Sequence, residues 1–113
     1  MAGGDEERPL VWLGGEIRTP PLSHAARVEA GLLLRRLQAG ESIGMPYCRP
    51  MPSVGERCYE LRIPDRATSW RIVFRLDADA VVLLEVFAKK TRATPSSVIQ
   101  TCRRRLRRYE GRV

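Results

Sequence analysis

Residues Ala80 to Ala88 form a nearly continuous apolar run, interrupted only by Glu85. A run of this length reads as a central strand, and a strand apolar on both faces needs packing on both. Two further strand signals precede it. Cys58 to Ile63 alternates, with Tyr59, Leu61 and Ile63 on one face and Cys58, Glu60 and Arg62 on the other. Ser69 to Leu76 places Trp70, Ile72, Phe74 and Leu76 inward, and Arg71, Val73 and Arg75 the other way. The short Pro64 to Thr68 segment makes these two strands a hairpin, and Asp77-Ala78-Asp79 turns the chain into the apolar run.

The remaining segments supply the cover. Pro9 to Leu13, stopped by Gly14-Gly15, reads as a short strand that follows a disordered tail over residues 1–8. Glu16 to Leu22 is a connector, because Pro20-Pro21 removes two backbone donors. Ser23 caps a helix running to about Gln38 and ended by Gly40. Its Ala26, Ala30, Leu33, Leu34 and Leu37 share one face, which should meet the sheet. Val28 and Leu32 lie on the opposite side, beside Arg35 and Arg36, either covered by another segment or open to a partner. Glu41 to Glu56 holds Pro46, Pro50 and Pro52 and reads as an extended loop. Pro95 opens a final helix with a stripe of Val98, Ile99, Cys102, Leu106 and Tyr109 and other faces rich in arginine. The expected fold is α+β: a mostly antiparallel four-stranded sheet with the first helix on one face. The last, basic helix should cover part of the other face or an edge. A chain of 113 residues, 43% hydrophobic, suffices for one core, so residues 1–113 should form a single domain.

Twenty Lys and Arg against thirteen Asp and Glu give a formal net charge of +7, which makes a polyanion the default partner class. Arginine dominates the excess, and its planar fork grips phosphate through two bonds at once. A basic protein that binds no nucleic acid remains open on composition alone. Cys48, Cys58 and Cys102 are odd in number and widely spaced, with only His24 to complete a metal site, so neither disulfides nor structural zinc are expected. Met1 to Arg8 resembles neither a signal peptide nor a membrane anchor. The expectation is a cytoplasmic protein with no membrane partner and no cofactor.

Arg62, Arg71 and Arg75 cannot point into the helix-covered core, so they should converge on the other, open face. Lys89, Lys90 and Thr91 add charge and polarity at the sheet end, near the start of the last helix. Together these residues suit an RNA backbone. Cutting RNA requires attack by a 2′-hydroxyl on the adjacent phosphate and stabilisation of the charge that builds on its oxygens. Preorganised cationic donors supply the second, about 3 to 4 kcal/mol each. The sequence has no histidine pair and no acidic cluster for two metal ions, which argues against those two kinds of nuclease. Glu60, beside Arg62, is either a base, an orienting partner or one half of an ion pair with Arg62. Arg71, bracketed by Trp70 and Ile72, is the stronger functional candidate. His24 suits capping or the surface, and Cys58 lacks a histidine to activate it. Arg103, Arg104, Arg105, Arg107 and Arg108 either contact RNA or solvate their helix.

The strings Cys58-Tyr59-Glu60-Leu61-Arg62-Ile63, Trp70-Arg71-Ile72-Val73-Phe74 and Val86-Phe87-Ala88-Lys89-Lys90-Thr91, with Thr94-Pro95 before a basic helix, resemble the HigB-like, phage-derived group of the RelE/ParE toxin superfamily. The resemblance runs from the long loop to the end of the chain; the first half matches by element order. It implies a ribosome-dependent, metal-independent endoribonuclease that cleaves messenger RNA, encoded beside a helix-turn-helix, HigA-like antitoxin. It also implies that Arg71 contacts the scissile phosphate, with Arg62 and Lys90 as basic partners and Arg49 as a further arginine near the site. On this reading Arg62, Arg71, Lys90 and Glu60 form the catalytic set, while Arg49, Arg75, Lys89 and Thr91 contact RNA. Glu60 stands where the best-known relatives carry lysine, and neither their late tyrosine nor the histidines of other HigB toxins have a match. A ParE-like inhibitor of DNA gyrase and a non-catalytic module that binds nucleic acid stay open as alternatives.

Overall fold

The computed structural model describes residues 7–19, 21–66 and 68–111. In chain order the elements are β1 (Leu10–Trp12), α1 (His24–Gln38), β2 (Cys48–Pro50), β3 (Cys58–Asp65), β4 (Thr68–Leu76), β5 (Val81–Lys89) and α2 (Ser96–Tyr109). They make a five-stranded mixed sheet in the order β1-β5-β4-β3-β2, with β1 parallel to β5 and the other neighbours antiparallel. The expected four strands are therefore corrected to five.

The additional strand is β2, inside the stretch read as a loop. Three prolines hid it, and the edge position explains why they are tolerated. Met51 N donates to Cys58 O at 2.8 Å and Arg62 N to Tyr47 O at 2.8 Å, so the ladder bonds of β2 fall at odd positions. Pro50 occupies an even position, where the backbone nitrogen points away from β3 and no donor is missed. β3 also runs on through Pro64, opposite Ser69, beyond the point where β2 stops covering its other edge.

Alternation along β3 and β4 sends their apolar residues to α1 as expected. Leu61, Ile63, Ile72, Phe74, Val81 and Leu83 pack against Ala26, Ala30, Leu33, Leu34 and Leu37. Full burial of a side chain the size of Leu61, Ile72 or Leu83 stabilises the fold by roughly 2 kcal/mol. The opposite face is covered too: Cys58, Val73, Val82 and Leu84 pack on Cys102 and Leu106 of α2. Ser23 caps α1 by accepting from Ala26 N, and Gly40 follows it at φ 87°, a left-handed conformation that glycine adopts without strain.

β5 breaks its own alternation. Its pairing with β4 steps from Val73↔Glu85 to Phe74↔Leu83, which leaves Leu84 as an extra residue, a β-bulge. Leu84 and Glu85 thereby both face α2, and Arg105 donates to the Leu84 carbonyl while its guanidinium lies 3.4 Å from Glu85. Arg105 thus turns inward, unlike the solvated or RNA-facing role expected for it. The tail assigned to residues 1–8 lies outside the described residues up to residue 6. Arg8 is held, donating to Gln38 O at 3.0 Å and accepting from Gln38 Nε2 at 2.8 Å. Pro20 of the connector also lies outside the described residues. Among the described residues, no helix is long and apolar enough to cross a membrane.

Candidate active site

The face of the sheet opposite α1 carries Glu60, Arg62 and Arg71, as the alternation predicts, but it is not an open face. Glu60 is fully buried and Arg71 is 6% exposed. Pairing explains the burial. Glu60 sits across from Val73 on one side and from Arg49 of β2 on the other, in the middle of the sheet. Its Oε1 accepts from Arg49 Nε at 3.0 Å and lies 3.5 Å from Arg71 Nε. Its Oε2 accepts from Thr94 Oγ1 at 3.2 Å, which brings in the segment between β5 and α2. A single carboxylate thus ties together β2, β3, β4 and the approach to α2. The ion pair considered with Arg62 is replaced by pairs with Arg49 and Arg71.

Arg71 Nη1 donates to Ser69 Oγ at 2.6 Å, while its Nε is buried with no hydrogen-bond partner among the described residues. Burial lowers the pKa of Arg71 below the ordinary arginine value; Glu60 opposes that shift, and Arg62 and Arg49 add to it. Lys89, across from Ser69, is likewise lowered first by burial, with Glu60 opposing and Arg49, Arg71 and Arg62 contributing. Arg62 lies directly opposite Arg71, a like-charge cross-strand pair that costs stability. Arg49, Arg62, Arg71 and Lys89 therefore surround one carboxylate. The positive excess favours an anion with several oxygens, and a phosphodiester has that chemistry.

Five of the sequence candidates, Glu60, Arg62, Arg71, Lys89 and Arg49, meet here, the last brought in by β2. Lys90 and Thr91 are exposed just beyond β5, where Thr91 Oγ1 donates to Ala93 O at 2.8 Å. Arg75 stands apart. Four residues further along β4, roughly 13 Å by strand rise, it donates to Asp77 at 2.8 and 3.1 Å and to Glu110 at 2.5 Å. It lines a groove of about 600 Å³ with Arg57, Arg103 and Arg107. Sequence reasoning missed Ser69 and Thr94. Thr94 belonged to the Thr-Pro string before the last helix, and that string was the available signal.

The thiol of Cys58 is pushed up to about 11, first by burial, so it stays protonated near neutral pH and makes a poor nucleophile. His24 is exposed at the first position of α1.

No curated protein matches the chain. The family described as "Phage derived protein Gp49-like (DUF891)" matches residues 20–107, from before α1 to the last turn of α2, and so spans every element that builds the Glu60 cluster. The chain belongs to this Gp49-like family, a RelE-like family associated with the toxins of toxin–antitoxin systems.

Proposed function

We propose that this chain is a HigB-like toxin, a single cytoplasmic domain that cleaves messenger RNA on the ribosome without a metal ion and is neutralised by a cognate helix-turn-helix antitoxin. The observation that carries the reading is the junction of Arg49, Arg71 and Thr94 on the buried Glu60, with Arg62 and Lys89 beside it. In such a reaction the 2′-oxygen loses its proton and bonds to phosphorus while the bond from phosphorus to the 5′-oxygen breaks and that oxygen gains a proton. Negative charge builds on the non-bridging oxygens at the moment of attack.

Arg71 is the group best suited to meet that charge. Its guanidinium sits in a nearly dry setting, and its orientation is fixed by Ser69 and Glu60 before any substrate arrives. Glu60 acts as the orienting partner rather than the base, because both oxygens are engaged and no solvent reaches it. Arg49, Arg62 and Lys89 hold the flanking phosphates, and the exposed Lys90 and Thr91 extend the track. Arg75, consumed by Asp77 and Glu110, is assigned a structural role instead.

Induction of the chain in a bacterium, with messenger RNA ends mapped before and after, tests the proposal. New ends inside reading frames, lost in Arg71→Ala while the variant accumulates as folded protein, are expected. Growth arrest with intact transcripts and damaged DNA would replace this reading with the gyrase inhibitor. Binding of RNA without cleavage would leave the non-catalytic module.

A further inference from the structure

The outer side of α1 carries a second surface, across the sheet from the Glu60 cluster. Val28 and Leu32 are 46% and 53% exposed, one helical turn apart, on the side opposite the residues that α1 buries. Beside them lies Gly31, where an added Cβ would meet nothing within 4 Å. A glycine inside a helix is destabilising relative to alanine, and no packing within the described residues requires this one. Val28, Gly31, Leu32 and Arg35 follow the i, i+3, i+4, i+7 spacing of a helix seam with a notch in it. With Ile17 and Arg27 they line a groove of about 330 Å³. Arg27 and Arg35 are exposed at its rim, and neither has a carboxylate partner among the described residues.

An apolar strip rimmed by unpaired arginines fits a segment whose own apolar stripe is rimmed by Asp and Glu. A second copy docked face to face would set Arg27 and Arg35 against the same residues of its neighbour. Nucleic acid would meet the arginines but leave the apolar strip uncovered. We propose that this side of α1 docks an amphipathic helix with acidic flanks, packed closely over Gly31 and carried by the antitoxin. The identity of the carrier rests on the toxin reading above; the surface does not.

The test titrates the purified full chain with the purified product of the gene adjoining its own, by calorimetry at two salt concentrations. Val28→Asp, and Gly31→Leu, which fills the notch from a Cβ position with no neighbour within 4 Å, should each weaken binding by about tenfold or more. Arg35→Glu should weaken it most at low salt, and Arg104→Glu, the same charge reversal on the helix across the sheet, should leave it unchanged. Each α1 variant induced alone should still arrest growth, while the partner no longer rescues the cells. Equal affinity of the wild type, Val28→Asp and Gly31→Leu overturns the proposal. So does failure of the wild type to bind this partner, or a dimer of the chain alone that Val28→Asp dissolves. Weakened binding by the variants of a wild-type chain that causes no growth arrest would support the docking surface and contradict the toxin reading.

Discussion

Replacing Glu60 by glutamine keeps the shape of the side chain and removes the one carboxylate from a group of cations. The cost follows from how deeply each partner sits. Glu60 is fully buried, and the side chain of Arg71 is 7% exposed with Nε 3.5 Å from Oε1, so its charge cannot turn to water when Glu60 is neutralised. Arg49 is 35% exposed, and solvent screens its share of the loss. Removing one partner of a buried pair costs about 3–5 kcal/mol, and the longer contact to Arg71 argues for the lower end, about 3 kcal/mol. For a domain of this size that is a fall in Tm of roughly 10–15 °C. The cost should be largely recovered when the stranded cation is removed as well. A cycle of wild type, Glu60→Gln, Arg71→Met and the double variant, unfolded in urea and followed by far-UV circular dichroism, should therefore show a coupling of about 2 kcal/mol. Additivity within about 0.5 kcal/mol would refute the claim that Glu60 holds Arg71 through its charge.

Burial pushes the thiols of Cys48 and Cys58 up to about 11 and that of Cys102 up to about 12, from 9.0. The folded chain thus keeps protons that the unfolded chain releases: this stability is complete below pH 9 and declines as pH rises towards 11. A urea midpoint that does not fall between pH 8 and pH 10.5 would contradict this. Asp65 accepts from Ser23 N and Trp70 Nε1, each at 3.0 Å, and the Ser23 backbone bond, ahead of its hydroxyl and Trp70, holds the carboxyl below its usual value. That stability is present above about pH 4 and lost as pH falls through the lower folded value. Asp65→Asn should flatten the acid limb of a pH–stability curve, and superimposable limbs would count against the bond. Arg75→Ala should cost about 1–2 kcal/mol by removing the cation that bridges Asp77 and Glu110, both partly screened by solvent, while RNA cleavage per folded molecule stays at the wild-type level; lost cleavage in a folded variant would return Arg75 to the site.

The faces of β3 and β4 were legible because a period of two is imposed by the backbone itself, and Tyr59 to Ile63 and Trp70 to Leu76 each keep it. α1 was legible through Ser23 and a five-residue apolar face. β2 was not, since Pro46, Pro50 and Pro52 carry the same local signal in a loop and at a sheet edge. Only the position of β3 distinguishes the two. The missing strand hid the partner of Glu60, for Arg49 reaches it only through the β2–β3 register. Arg75 was placed on the correct face, yet its neighbours Asp77 and Glu110 decide its role, and Glu110 lies 35 positions away in sequence. The inward turn of Arg105 depends on the bulge at Leu84, which nothing in the apolar run announces.

In the proposed reaction Arg71, held by Glu60 and Ser69, stabilises the phosphate during cleavage. Its most direct test is cleavage of an end-labelled messenger RNA on programmed ribosomes by purified wild type, Arg71→Ala and Arg75→Ala. Discrete cuts by the wild type and Arg75→Ala are expected, with a loss of about a hundredfold or more for folded Arg71→Ala. Equal cleavage by wild type and Arg71→Ala, or intact messenger RNA with the wild type on ribosomes, would contradict it.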